Sequence, residues 1–370
     1  MSVTSKSPLG VAREALAIGS ATLREYSHRF SPKTYTQPQL FACLVIKAFL
    51  KTDYRGICRI LQEWAELREV LRLAKIPHFT TLQKASERLL RARRVRRLLS
   101  ITIQRCYKRK RKIERAALDS TGFSCGHASL YYTRRRAGGG KIPVFYKRYA
   151  KLELAADCAT HLILAAIAGR GPRVDIDRFV PLLDQALDRV LLDTVLADAG
   201  YDSEPNHRHA REIRGVRSYI PPLHGRPTPK LPTGRYRRQM KQRLTKDYGS
   251  YGQRWQVETV NSMIKRRIAA HVAARTYWSQ CRELMLLIIT HNTMILLWAC
   301  RFSTEHSRPL FLPVSPVPEC PTECPTGVAR CRVTQLSEFR RLWFFPHTLS
   351  GMTHKHRCHR KSLSHSYLKS

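Results

Sequence analysis

Two acids stand where acids are costly to place, and a third lies in a stretch of helical spacing. Asp119 closes the apolar run Ala116-Ala117-Leu118, Asp198 closes Thr194-Val195-Leu196-Ala197, and Glu258 lies in the stretch from Tyr251 to Lys265. A carboxylate at the end of a buried segment carries a desolvation cost and calls for a reason. Hard divalent cations take oxygen ligands of this kind. Two such ions about 3.5–4 Å apart activate an oxygen nucleophile and stabilise the leaving oxygen of a phosphodiester. Singly, each acid reads as a turn residue, an N-cap or an arginine partner; jointly they point to metal-assisted phosphodiester transfer. Tyr251, Arg254, Glu258 and Lys265 are separated by three, four and seven residues, steps that place all four near one face of a single helix. Gly200 allows the chain to bend away after Asp198. Asp202 is either a helix cap or a secondary acid, and Trp255 either fills the core or stacks on a displaced base.

The elements around these acids follow from periodicity. Short apolar runs predict strands at 116–121, 149–157 and 162–168, the last two joined by a tight turn, then at 194–197 and 216–220. Helical spacing predicts helices over about 177–190 and 205–213, and a long one over about 251–270. Three antiparallel strands, then alternating helix and strand, then a helix bearing an acid, is the order of an α/β ribonuclease H-like core, a mixed sheet flanked by helices. Before it, residues 38–100 read as helical throughout, with a break at Lys75–Phe79 and a capping-box pattern at Thr80 and Gln83. That layout suits a helix-turn-helix or an ordinary helical hairpin equally. The expected organisation is a helical DNA-binding domain over 1–100, a catalytic domain over 101–302 with a basic insertion at about 222–250, and a low-order basic tail over 303–370.

The 66 Lys and Arg against 27 Asp and Glu give a formal charge of +39, which self-repels unless a polyanion lies alongside. Nucleic acid is the expected partner. Packing proteins and membrane-surface helices carry such charge on simpler sequences, whereas here it flanks ordinary globular apolar segments. From Arg91 to Arg115 every charged residue but Glu114 is basic, and residues 222–246 hold eight Lys or Arg and no acid. The opening MSVTSKSPLG lacks an apolar run behind its charge, so cytoplasmic synthesis without a secretory signal is expected. The apolar run Leu284–Cys300, interrupted by Thr290-His291-Asn292-Thr293, predicts a buried helix and no membrane span. Cys43, Cys58, Cys158, Cys281 and Cys300 fall in apolar stretches and read as reduced thiols. In the tail, Cys320, Cys324, Cys331, His354, His356 and Cys358 have spacing that fits no common zinc finger.

The pattern Y-x2-R-x3-E-x6-K from Tyr251 to Lys265 resembles the signature of bacterial insertion-sequence transposases with a DDE catalytic domain. The resemblance extends to Leu118-Asp119-Ser120-Thr121 and to Ala197 through Asp202, covering about residues 115–300. It implies that Asp119, Asp198 and Glu258 are catalytic and hold Mg²⁺ or Mn²⁺, two ions in all, and that Tyr251, Arg254 and Lys265 contact DNA. It also implies a DNA-contacting insertion between the second acid and the glutamate, to which Arg237, Arg238 and Lys241 belong. The implied partners are double-stranded DNA, as terminal inverted repeats and as target, and a second copy of the chain in a synaptic complex. Two other readings stay open: a structure-selective nuclease without strand transfer, and a catalytically inactive transposase-derived DNA-binding protein.

Overall fold

The computed structural model describes residues 4–107, 112–125, 149–222, 231–246 and 249–305. The basic run 108–111, insertion residues 223–230 and the tail from residue 306, with its candidate zinc ligands, lie outside the described residues, as does the side chain of Cys300.

Among the described residues, six helices precede the sheet. Four of them are α1 (Pro8–Thr22), α2 (Gln37–Phe49), α3 (Tyr54–Glu63) and α4 (Ala65–Val70). The other two are α5 (Phe79–Leu89) and α6 (Ala92–Cys106). The helical reading of 38–100 therefore holds, but α1 was not expected. Ser7 caps it, Pro8 opens it, and Val11, Ala12, Ala15 and Ile18 form its buried stripe. Gly19 lets it close on α2: a Cβ there would lie 3.0 Å from the Pro38 backbone. The capping box forms at Thr36 and Gln39, not at Thr80. Helix α5 starts two residues earlier than a Thr80 cap would set it, with His78 as its uncapped N-terminal flank.

The sheet runs β3-β2-β1-β4-β5, with β1 (Lys112–Cys125), β2 (Tyr149–Asp157), β3 (Ile163–Gly171), β4 (Leu191–Ala197) and β5 (Arg217–Tyr219). A short β6 (His271–Val272) pairs with the far end of β1. Strands β1, β2 and β3 are antiparallel, while β4 and β5 lie parallel to β1. This mixed sheet flanked by helices is the ribonuclease H-like arrangement that the element order predicts. Ala116, Ala117 and Leu118 are fully buried, as a central strand covered on both faces requires. The β2–β3 turn is held locally: Asp157 accepts from the Ala159 amide at 3.1 Å and from the Thr160 hydroxyl at 2.7 Å.

Helix α7 (Phe179–Leu187) packs on β2 and β3. Helix α8 (Glu204–Arg208) continues into a π-helical turn, His209–Ile213. Helix α9 (Arg235–Lys246) forms in the insertion, followed by a short turn α10 (Gly249–Gly252) and helix α11 (Trp255–Arg267), which lies on β1 and β2. The last helix, α12 (Tyr277–Glu305), contacts α1, α2, α6 and β3, so the helical and sheet parts share one core. Its polar interruption explains how. The Asn292 amide accepts from the Ile163 amide and donates to the Ile163 carbonyl, each at 2.9 Å, and donates to Thr102 at 3.1 Å. His291 lies 3.0 Å from the His161 carbonyl, while Thr290 and Thr293 donate back to their own helix. Each of these four buried side chains thus has a partner, as burial demands. Among the described residues no helix is long and apolar enough to cross a membrane.

Candidate active site

The strand register sets two of the acids. Leu118 pairs with Ala197 across the parallel β1–β4 ladder, so the next residue on each strand, Asp119 and Asp198, sits at the same level and on the same side of the sheet. Asp119 faces Leu154 on its other flank, in the middle of the long β1. Asp198 is the first residue past β4 and is exposed. Helix α11 brings the third acid over β1, with Val257, Val260, Asn261 and Ile264 buried beneath it. Glu258 stands in its first turn, where the helix dipole favours a negative charge.

Electrostatics ties the three together. Burial pushes the Asp119 carboxyl up to about 6, the neighbouring Glu258 and Asp198 charges push the same way, and the Ser120 amide and Arg254 oppose them. The Asn261 amide donates to Asp119 Oδ2 at 2.9 Å, while its own Oδ1 is buried with no hydrogen-bond partner among the described residues. Arg254 Nη2 donates to Glu258. Among the described residues no three acid, His or Cys side chains are already gathered onto one point; Glu258 leans on Arg254 and Asp119 on Asn261.

The signature residues do not ride on one helix. The chain breaks between α10 and α11, so Tyr251 sits on the preceding turn and Arg254 at the N-terminal flank of α11. Tyr251 is buried, and its hydroxyl donates to the Ala197 carbonyl at 3.3 Å, next to Asp198. Lys265 lies two turns along α11 from Glu258, with its amine 5.4 Å from the centre of the Phe123 ring. Trp255 does not fill the core: it is 53% exposed beside Arg254. It cannot pack inward because α11 turns its Val257 and Val260 face to the sheet.

Asp202 is neither cap nor free acid. Ser203 caps α8, accepting from the Asn206 amide at 3.2 Å. The Asp202 side chain is fully buried and receives the Arg237 guanidinium at 2.7–3.1 Å. Glu204 accepts from the Tyr236 and Arg237 amides at 3.1 and 3.2 Å, so it caps the start of α9. The insertion helix is thus fastened to the segment that carries Asp198. Arg237 points inward; Arg238 is exposed and Lys241 half-buried on the same helix.

A second layer of charge has no counterpart in the motifs. Lys151 and Glu153 are buried on β2, Lys151 donates to Asp175, Arg178 reaches Glu153 at 3.2 Å, and Ser120 donates to Asp175 at 3.1 Å. Tyr201 is buried nearby; burial and then Asp175, Asp119, Glu153 and Asp198 raise its pKa, and its hydroxyl has no hydrogen-bond partner among the described residues. The signal in the sequence is two charged residues within the apolar run of β2. Asn261 is likewise signalled by its place three residues beyond Glu258, one helical turn on.

Residues 110–293 match the family described as transposase DDE domain. Among solved structures, the chain is similar to a piggyBac transposase synaptic complex with hairpin DNA, seen by cryo-EM. The two share 10% identity at a TM-score of 0.40, over 82% of this chain and 74% of that one. Comparison with curated proteins finds no match.

Proposed function

The chain belongs, through residues 110–293, to the transposase DDE-domain family, and from that premise we propose that it is a DNA transposase of insertion-sequence type. It cuts double-stranded DNA at the terminal repeats of its element and joins the freed 3′ ends to a target duplex. One observation carries this reading: Asp119 and Asp198 stand side by side at the ends of paired segments, with Glu258 and Arg254 close enough to act on Asp119, all within the matched residues.

The donor set suits a hard divalent cation. All three side chains offer carboxylate oxygens, and a cation among them offsets the burial and repulsion that push Asp119 up to about 6. Asp119, Asp198 and Glu258 would hold Mg²⁺ or Mn²⁺, two ions in all. When bound, the metal activates the attacking oxygen and stabilises the leaving one. Asn261 fixes the Asp119 carboxylate in one orientation. Arg254 faces both Glu258 and Asp198, where its guanidinium can pass from carboxylate to a DNA phosphate. Lys265, Arg238 and Lys241 contact the backbone on either side, whereas Tyr251 and Arg237 act by holding the Asp198 segment in place. Synapsis of two ends requires two copies of the chain.

The test is incubation of the full chain with a labelled duplex bearing the element's terminal repeat, with Mg²⁺ or EDTA, beside Glu258→Gln. Metal-dependent nicking that disappears in the variant is expected, with ends joined to a second duplex. Nicking that survives Glu258→Gln overturns the assignment.

A further inference from the structure

Away from the acids, the N-terminal helices enclose a cavity of about 470 Å³ whose wall carries charge of one sign. Arg24, from the segment after α1, meets Arg91, Arg93, Arg94 and Arg97 around the start of α6. No carboxylate lines this space. Elsewhere Arg105, Arg178, Arg214 and Arg237 each meet an acid. Among the described residues, the five cavity arginines form no ion pair.

One arginine of the cluster is set into the fold, while Arg24, Arg91, Arg93 and Arg97 are exposed around it. Arg94 is half-buried, and its guanidinium is fixed by donation to the Arg88 carbonyl at 2.8 Å. Burial first, then the Arg88 and Arg91 charges, hold its pKa below the usual arginine value. Helix α6, 15 residues long, opens into the same space with no side chain capping it, so its unpaired N–H groups and positive dipole end add to the field. A second element, through Arg24, adds its charge to those of α6 around the same space.

We propose that this arginine cavity is a phosphate-backbone site for duplex DNA, a second anchor whose residues are distinct from those around Asp119 and Asp198. The proposal rests on the DNA-processing reading above and names where the duplex is held outside the acids. Guanidinium forks match phosphate oxygens two at a time. A concave ring fits a projecting backbone better than a flat lipid surface, and only a polyanion neutralises five such charges together.

Arg93→Ala/Arg97→Ala and Arg93→Glu/Arg97→Glu test it, because both side chains are exposed while the packing of α6 rests on Val95, Leu98 and Leu99. Binding of labelled duplex is followed across a NaCl series, with melting temperature as the check on folding. Affinity is expected to fall roughly tenfold in the alanine pair and further on charge reversal, with the log–log salt slope reduced by about 0.9 for each phosphate no longer neutralised. Unchanged affinity and slope in folded variants overturn the site. Loss of affinity confined to an RNA duplex overturns the DNA assignment. A wild-type chain that binds no duplex overturns both this site and the proposed function. Duplex binding that depends on these arginines without any nicking overturns only the catalytic reading and supports the site.

Discussion

Asn261 is the side chain through which a single substitution speaks most directly to the chemistry. It is buried, donates to Asp119 Oδ2 at 2.9 Å, and its own oxygen has no partner among the described residues. A hydrogen bond to a charged group is worth about 1.5–3 kcal/mol, so Asn261→Leu removes the restraint on Asp119 and also an unsatisfied oxygen. Single-turnover nicking should fall roughly ten- to a hundredfold while the melting temperature holds or rises. A parallel loss of stability would make Asn261 a packing residue only. Glu258, half-exposed and paired with Arg254, should by contrast tolerate Gln without loss of fold, which keeps its activity test clean.

At the scale of elements, the insertion helix α9 depends on two acids that follow Asp198. Asp202 is fully buried against Arg237, and Glu204 caps the helix start. Removing one partner of a buried pair leaves an uncompensated charge and costs about 3–5 kcal/mol. Arg237→Ala should therefore lower the unfolding midpoint substantially and speed hydrogen exchange across residues 235–246. Adding Asp202→Asn should recover part of the loss, since the stranded charge is then gone. Equal midpoints in wild type and Arg237→Ala would mean that α9 is not held by this pair. The same logic explains why α12 tolerates four polar residues in its middle. Asn292 and His291 hold the edge of β3, and the two threonines satisfy themselves on their own helix.

For the whole molecule, two buried histidines set the response to acid. Burial holds His207 and His291 down to about 4, so both are neutral in the folded chain. Between about 4 and the unperturbed value near 6.5 the unfolded chain takes up protons that the folded chain refuses. Their contribution is thus fully present above about 6.5 and is lost as pH falls toward 4. Asp119, raised to about 6, works in the opposite sense over part of that range, so the comparison that isolates the effect is wild type against His291→Gln. Urea midpoints should decline from pH 7.5 to 5 in the wild type, and less steeply in the variant. Identical slopes would show that His291 does not carry this dependence.

Asp119 and Asp198 are legible as candidates because each closes an apolar run, where a carboxylate is a local cost visible without coordinates, and Glu258 through its spacing from Tyr251, Arg254 and Lys265. Strand and helix order follows from periodicity for the same reason: period and turn chemistry are local properties. The break before α11 is not legible, since helical spacing runs on through Tyr251, Arg254 and Glu258 while the helix itself starts only at Trp255. What only the tertiary structure decided was pairing at a distance. The register that sets Leu118 against Ala197, the burial of Asp202 on Arg237, the exposure of Trp255 and the meeting of Arg24 with the start of α6 all join residues far apart in sequence. Spacing along the chain constrains neighbours one turn or one strand step away; it holds no record of which buried charge meets which partner.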